Sequence, residues 1–152
     1  MTDFPGAPGK MCAWETVQVE PGIREALDAL SLQYHIVLAT NAKDSNPEDI
    51  YKALARAGLE HYFKNIYCFQ TIGHLKPSKA FFLSILTDLN MTVEDVVMVG
   101  DDFENDVLGA NGCGIYAVWY NRRNLETRDG KRYTTIHDLK KLPEILNFRN
   151  RI

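Results

Sequence analysis

The sequence predicts an α/β fold, with a mostly parallel sheet covered by helices on both faces, and three observations support this. Short apolar, β-branched runs alternate with segments whose apolar residues recur at helical spacing. Polar residues collect where the predicted strands end, which is where parallel sheets place their ligands. The length of 152 residues suits one domain with a sizeable core. We therefore expect a single domain whose strands are joined by right-handed crossovers.

Four elements are predicted in the first half of the chain. Residues 21–32 (PGIREALDALSL) and 47–57 (PEDIYKALARA) both begin with proline and carry apolar residues at helical spacing, and Gly58 is a natural C-cap for the second helix. Residues 34–41 (YHIVLATN) form a short apolar segment that ends in polar residues, as a strand buried on both faces should. Residues 65–71 (NIYCFQT) predict the next strand.

The second half of the chain repeats the alternation of helices and strands. Residues 78–89 (SKAFFLSILTDL) have the spacing of a helix, and residues 92–95 are typical of a turn or helix cap before the strand at 96–100 (VVMVG). A short helix is expected to begin within residues 106–111, and residues 114–120 (GIYAVWY) predict another strand.

The two ends of the predicted core are less regular. Residues 121–132 are rich in Arg, Asn and Gly and predict an exposed loop, whereas residues 136–146 (IHDLKKLPEIL) predict a final short helix. Residues 1–20 form an N-terminal segment that precedes the α/β core at 21–152. Within this segment, residues 16–19 (TVQV) alternate apolar and polar side chains and could form a strand.

Composition excludes several classes of partner. The chain has 17 basic and 20 acidic residues, a net charge of −3, and no block of like charges at either end, so we expect neither nucleic acid nor a membrane surface as partner. The longest apolar runs are too short to span a membrane, and no charged-then-apolar leader opens the sequence. Cys12, Cys68 and Cys113 are odd in number and widely spaced, which suggests neither a disulfide framework nor a zinc site. We expect a cytoplasmic protein.

Three carboxylates follow the strand predicted at residues 96–100. Asp101 and Asp102 are adjacent, and Asp106 comes a few positions later. Ionised carboxylates clustered at a strand end repel one another unless they share a cation. Mg²⁺ takes one or two protein carboxylates and leaves its other positions to water and phosphate oxygens. The pattern indicates a magnesium site, although Asp106 could instead be the N-cap of the following helix.

Anion-binding groups are predicted at two other places. Thr40, followed by Asn41, ends a predicted strand and offers a hydroxyl and a backbone N–H to an anionic oxygen. Lys76 lies in the loop before a helix, where its ammonium could reach a phosphate or a carboxylate. Taken alone, a Thr-Asn pair after a strand is more typical of a turn, and a lysine before proline is more typical of a solvated loop.

The order LATN, LKP and VGDDFEND, separated by helical segments, resembles the haloacid dehalogenase (HAD) superfamily of hydrolases, most of which are phosphatases. The resemblance covers residues 21–120 and implies a three-layer, Rossmann-like core. It implies that Thr40 binds the transferring phosphoryl group and that Lys76 stabilises its charge and that of the nucleophile. It also implies that Asp101, with Asp102 or Asp106, holds Mg²⁺, and that the substrate is a small phosphorylated metabolite.

The sequence departs from the family at its first motif. That motif is D-x-D-x-[TV] after a hydrophobic strand, and its two aspartates act as nucleophile and as general acid and base. No D-x-D occurs in this sequence, and Asp3, the only acid before Glu15, is a poor nucleophile candidate because proline and glycine follow it. The stretch between the first and second motifs, including the usual cap, is also missing.

The missing first-motif strand would leave a gap at the centre of the family's sheet, with unpaired backbone groups that cost about 1–3 kcal/mol each when buried. Four explanations are open. Residues near 11–19 could fill the position, a second copy could supply a strand as a homodimer, or the neighbouring strands could close up. The natural product could also be longer than this chain. We favour the first explanation.

Two functions follow from this pattern. The first is a Mg²⁺-dependent phosphomonoester phosphatase in which Lys76 and Thr40 stabilise the transferring group, with little or no turnover by this chain because its nucleophile is not found. The second is a catalytically inactive HAD-like protein that binds a ligand or a partner, since function depends on a site and not on a scaffold.

Overall fold

The structure is a computed structural model that describes residues 9–126 and 132–149. The helices are α1 (Ile23–Ser31), α2 (Pro47–Ala57), α3 (Phe69–Ile72), α4 (Lys79–Leu89), α5 (Gly109–Gly112) and α6 (Leu142–Arg149). The strands are β1 (Val37–Ala39), β2 (Asn65–Tyr67), β3 (Val97–Gly100), β4 (Tyr116–Tyr120) and β5 (Tyr133–Ile136). All strand pairs among these residues are parallel, which confirms the α/β prediction.

The chain divides into two compact units. The first comprises the residues up to Thr71 together with those from Leu139 onward, and the second comprises Ile72–Asp138. The prediction of a single domain stays a prediction. Within the described parts of the chain, no helix combines the length and the apolar character needed to cross a membrane.

The first unit contains β1 paired with β2, in a register that sets Val37 beside Asn65. Helix α2 begins and ends at the predicted positions because both ends carry strong local signals. Asn46 and Asp49 form a reciprocal capping box at its start. Gly58 ends it in the left-handed conformation, with a φ of 64°, that glycine adopts readily. The apolar face of α2 joins a buried cluster comprising Leu27, Ile50, Leu54, Ala57, Leu59 and Cys68.

The N-terminal segment does not form the strand that the sequence suggested. Met11–Ala13 is a 3-10 helix, and residues 14–20 contain no strand. Val17 and Val19 are partly buried and pack against the apolar cluster of the first unit. Their alternation therefore reflects packing of an irregular segment and not pairing in a sheet.

Helix α2 holds this segment through its polar face. Lys10 Nζ lies 2.5 Å from Asp49 Oδ2. The Arg56 guanidinium donates to the carbonyl of Cys12 at 3.0 Å and to that of Glu15 at 3.1 Å. The carbonyls of Cys12 and Glu15 thus accept from one α2 side chain, and these hydrogen bonds dock the segment on that helix.

The second unit contains a three-stranded sheet in the order β3-β4-β5, with β4 in the middle. The strand predicted at 114–120 is present as β4, but a strand that the sequence analysis did not predict, β5, follows and pairs with it. The prediction of a helix from residue 136 is corrected, because Ile136 ends β5 and α6 begins only at Leu142, after a 3-10 helix at Leu139–Lys141. The exposed-loop prediction for 121–132 falls partly on residues 127–131, which lie outside the described residues. Its first residue, Asn121, is buried.

The strand predicted at 65–71 is also shorter than expected. It ends at Tyr67, and Phe69–Ile72 is a helical turn. The Thr71 hydroxyl accepts from the Cys68 N–H and donates to the Cys68 carbonyl, both at 3.0 Å. A threonine four residues after a strand end can close a turn in this way, and the apolar character of the segment hid this from the sequence analysis.

Candidate active site

A buried ion pair lies at the centre of the candidate site. Lys76 precedes α4, and Asp106 lies within a π-helix at Phe103–Leu108 that follows β3. Lys76 Nζ is 2.7 Å from Asp106 Oδ1, and the two side chains are only 9% and 7% exposed. The sequence prediction that Lys76 could reach a neighbouring carboxylate is therefore confirmed.

The second oxygen of Asp106 is bound as well. Asp106 Oδ2 accepts from the backbone N–H of Asp102 at 3.2 Å. Gly100, at the end of β3, makes room for this carboxylate, because a Cβ at that position would lie 2.1 Å from Oδ2. The chain therefore requires glycine at position 100, for close approach and not for a left-handed φ.

Burial dominates the electrostatics of Asp106. Removal from water raises the pKa of this carboxyl, while the Lys76 ammonium and the Asp102 N–H act in the opposite direction. The pair is thus a desolvated carboxyl held by one ammonium and one backbone donor. This arrangement fixes the position of the Lys76 ammonium, since its charge has a rigid partner.

Asp102 is the N-cap of the π-helix and Asp106 is not, so the alternative assignment of Asp106 as a cap is wrong. The Asp102 carboxylate accepts from Asn105 N at 2.9 Å and from Asn105 Nδ2 at 2.7 Å. Burial opposes ionisation of Asp102, but the hydrogen bonds from Asn105 and Glu104 outweigh it and lower the pKa of this carboxyl. Asp102 is exposed to solvent and ionised at neutral pH.

Asp101 is exposed, as Asp102 is, whereas Asp106 is buried. Its side chain is 50% exposed, and its Oδ2 lies 3.1 Å from Arg122 Nε. Its backbone carbonyl accepts from Trp119 Nε1 at 3.2 Å, and Trp119 itself is fully buried. The position of Asp101 is therefore fixed by a large core side chain.

The three carboxylates do not converge on one point. Among residues 9–126 and 132–149, no group of three or more His, Cys, Asp or Glu side chains could hold a metal ion. Asp106 is committed to Lys76 and the Asp102 amide, whereas Asp101 and Asp102 are exposed residues next to the end of β3. Two hard oxygen donors suit Mg²⁺, which takes its remaining ligands from water and substrate.

Thr40 and Asn41 lie in the first unit, directly after β1. The Thr40 N–H donates to the Tyr67 carbonyl at 2.9 Å, and the Thr40 hydroxyl accepts from the Ala42 N–H at 3.3 Å. The hydroxyl therefore closes a turn, as the alternative reading of this pair proposed. The phosphate-binding role of Thr40 and Asn41 stays a prediction.

Sequence reasoning missed two residues at the carboxyl end of β4. Asn121 is 2% exposed, and its side-chain amide exchanges hydrogen bonds of 2.9 Å with the backbone N–H and carbonyl of Leu125. Arg122 follows it and pairs with Asp101. A usable signal was present, because both residues directly follow a predicted parallel strand, where ligand-binding groups collect.

Curated phosphatases are similar to this chain over part of their length. A glyceraldehyde 3-phosphate phosphatase of Methanothermobacter thermautotrophicus is 31% identical over 63% of this chain and 45% of its own length. A pyrimidine 5′-nucleotidase of Streptococcus pneumoniae is 30% identical over 72% of this chain and 46% of its own. The chain thus spans about half the length of these relatives.

Solved structures extend the comparison to the fold. A HAD phosphatase from Thermococcus onnurineus matches 85% of this chain and 58% of its own, at 31% identity and a TM-score of 0.74. A protein from Listeria monocytogenes described as uncharacterized matches 95% of this chain and 88% of its own, at 26% identity and a TM-score of 0.82. A putative HAD hydrolase of Bacillus subtilis, solved bound to magnesium, matches 86% of this chain and 57% of its own, at 26% identity and a TM-score of 0.76.

The sequence pattern of a known family accounts for most of the chain. The pattern described as haloacid dehalogenase-like hydrolase matches residues 9–120, a range that contains Thr40, Lys76 and the three carboxylates. Together with the parallel α/β fold and the similar HAD structures, this match shows that the chain belongs to the haloacid dehalogenase-like hydrolase family.

Proposed function

We propose that this chain is the core of a Mg²⁺-dependent phosphatase that binds the phosphate ester of a small metabolite, and that the 152-residue chain turns it over slowly. The observation that supports this best is the buried Lys76–Asp106 pair, because it holds an ammonium at a fixed place next to the end of a parallel strand. Family membership and the phosphatase names of the relatives support the reaction class.

Each residue has a proposed role toward a phosphate ester. Lys76 stabilises the anionic oxygens of the phosphoryl group, and Asp106 is a positioning residue that orients Lys76. As the family resemblance implies, Thr40 and Asn41 supply a hydroxyl and amide donors to phosphate. Asp101 and Asp102 would hold Mg²⁺, which when bound would supply positive charge against the phosphate.

The slow turnover follows from the sequence. The chain contains no D-x-D, so the aspartate pair that serves as nucleophile and general acid in the family has no counterpart in it. Loss of a nucleophile lowers the chemical rate by several orders of magnitude, and the remaining rate depends on positioning and electrostatics. Cys12, Cys68 and Cys113 are free thiols, in keeping with a proposed cytoplasmic location.

The second candidate is a HAD-like protein that binds a ligand or partner and catalyses nothing. The same missing D-x-D favours it, as does the commitment of Asp106 to Lys76 and the Asp102 amide. The two candidates differ in whether phosphate binds at the Lys76 site.

Binding and turnover should be measured separately. Calorimetry with inorganic phosphate and Mg²⁺ tests binding, and release of p-nitrophenol from p-nitrophenyl phosphate tests turnover. We expect Lys76→Met to abolish phosphate binding and the exposed neighbour Lys79→Met, which makes the same change of charge, to preserve it. Thr40→Val tests the same binding without disturbing the buried pair.

The outcomes separate the candidates. Phosphate binding that needs Lys76 and Thr40, with a slow Mg²⁺-dependent turnover above background, agrees with the proposal. Absence of binding in the wild type favours the non-catalytic candidate. A substantial Mg²⁺-dependent rate that Asp101→Asn abolishes would support a phosphatase but contradict the expectation of slow turnover.

A further inference from the structure

Arg122 is paired with Asp101, an exposed acid of the candidate site. Its Nε lies 3.1 Å from Asp101 Oδ2, with the Arg122 side chain 21% exposed and the Asp101 side chain 50% exposed. Neither the sequence patterns nor the family roles account for this arginine.

Both partners are held by neighbouring parallel strands. Asp101 follows β3 and Arg122 follows β4, and the register pairs Gly100 with Trp119. The Trp119 indole N–H binds the Asp101 carbonyl, and the Arg122 N–H donates to the Tyr120 carbonyl at 3.0 Å. The ion pair therefore joins two side chains whose backbone positions are held by hydrogen bonds.

A cation at Asp101 would have to share or displace this guanidinium. One Asp101 oxygen is already close to a positive charge, and a divalent ion placed on the same carboxylate would be repelled by it. We propose that Arg122 competes with Mg²⁺ for Asp101, so that it neutralises this acid when no metal is bound and weakens metal binding. This inference rests on the proposed function, because it takes Asp101 as a metal ligand.

The chain offers a matched control for the charge of Arg122. Arg123 is adjacent and exposed, so Arg123→Gln removes the same charge from nearly the same place without touching the ion pair. Binding of Mn²⁺ should be titrated by electron paramagnetic resonance of the free ion, with Mg²⁺ as competitor. Wild type, Arg122→Gln, Arg123→Gln and Asp101→Asn should be compared, each checked for folding by circular dichroism.

We expect Arg122→Gln to bind Mn²⁺ about two- to five-fold more tightly than wild type, the range that corresponds to one partly exposed ion pair. Arg123→Gln should bind almost as wild type, and Asp101→Asn should bind more weakly. Equal affinities for the two arginine variants, with wild type binding metal, would overturn the inference and leave the proposed function standing. Absence of metal binding in every variant would overturn both the inference and the role of Mg²⁺.

Discussion

Asp106 is a buried acid of the candidate site, and both of its carboxylate oxygens are bound by neighbouring groups. Lys76 binds one oxygen and the Asp102 N–H binds the other. A buried pair of this kind is costly to break on one side, because the remaining charge stays desolvated. The residues that hold Lys76 can therefore be tested through stability as well as through phosphate binding.

We predict that Lys76→Met lowers the free energy of unfolding by about 3–5 kcal/mol, because it leaves the Asp106 carboxylate buried without its ammonium. The double variant Lys76→Met with Asp106→Asn should recover part of this loss. Urea denaturation of the wild type, both single variants and the double variant gives the coupling. Additive effects of the two changes would contradict a direct pair.

A glycine comparison tests the close approach at the end of β3. Gly100→Ala should destabilise the protein by about 1–3 kcal/mol or more, because the added Cβ would lie 2.1 Å from Asp106 Oδ2. Gly112→Ala is the control, since a Cβ there meets nothing within 4 Å. It should leave stability unchanged or raise it by up to about 1 kcal/mol. Thermal unfolding of both variants measures this difference. Equal effects on stability would show that neighbouring atoms move to accommodate the added Cβ at position 100.

The sequence predicted residue types more reliably than the contacts that give them a role. Lys76 and Asp106 were candidates because of order and spacing, and they do meet. Gly100 was missed because its close approach to Asp106 is not visible in a local sequence pattern. Arg122 was missed because its ion pair with Asp101 depends on the register of β3 and β4, which a local pattern does not reveal.

At the scale of elements, α2 was predicted within its true bounds because capping and C-terminal signals are local. Strand β5 was missed, because it is short and follows a loop rich in polar residues. The strand expected near residues 16–19 was wrong, because an alternating pattern also suits an irregular segment packed on an apolar cluster. Local signals therefore predicted the bounds of an element only where the sequence supplied capping residues.

The docking of the N-terminal segment on α2 should depend on pH. The hydrogen bond from Lys10 holds the pKa of Asp49 below its usual value of 3.8. The stabilisation from this pair is therefore fully present above about pH 4 and is lost as the pH falls through the lowered pKa. Lys10→Met should lose stability relative to wild type at pH 7, and the difference should shrink below pH 4.

The exposed Lys43→Met variant is the control for this experiment. Guanidinium denaturation obscures charge effects, so thermal unfolding at low salt is the better measurement. A difference between Lys10→Met and wild type that stays constant down to pH 2 would contradict the role of Asp49.

At the scale of the molecule, the missing strand is still the main question. Within the described residues, β1 pairs only with β2 and β3 only with β4, and the N-terminal segment pairs with neither. Residues 11–19 contain no strand, and the explanation that they fill the missing position stays a prediction. That a second copy supplies a strand stays a prediction.

Sedimentation equilibrium tests this prediction directly. If a second copy supplies the strand, the native mass should be twice the 17.3 kDa of the chain, and it should fall to one chain on dilution. A single-chain mass at every concentration would contradict a homodimer. The intact mass of the protein from its source cell then tests whether the natural product is longer.

The hydrogen bond from the Trp119 indole to the Asp101 carbonyl has an optical consequence. The chain has two tryptophans, so replacing Trp14 by Phe leaves Trp119 as the sole indole emitter. The Trp119 ring also packs edge-on against Phe103, at a centroid distance of 4.7 Å. The emission colour and lifetime of that indole would then report, without any label, on every event that shifts the backbone beneath Asp101.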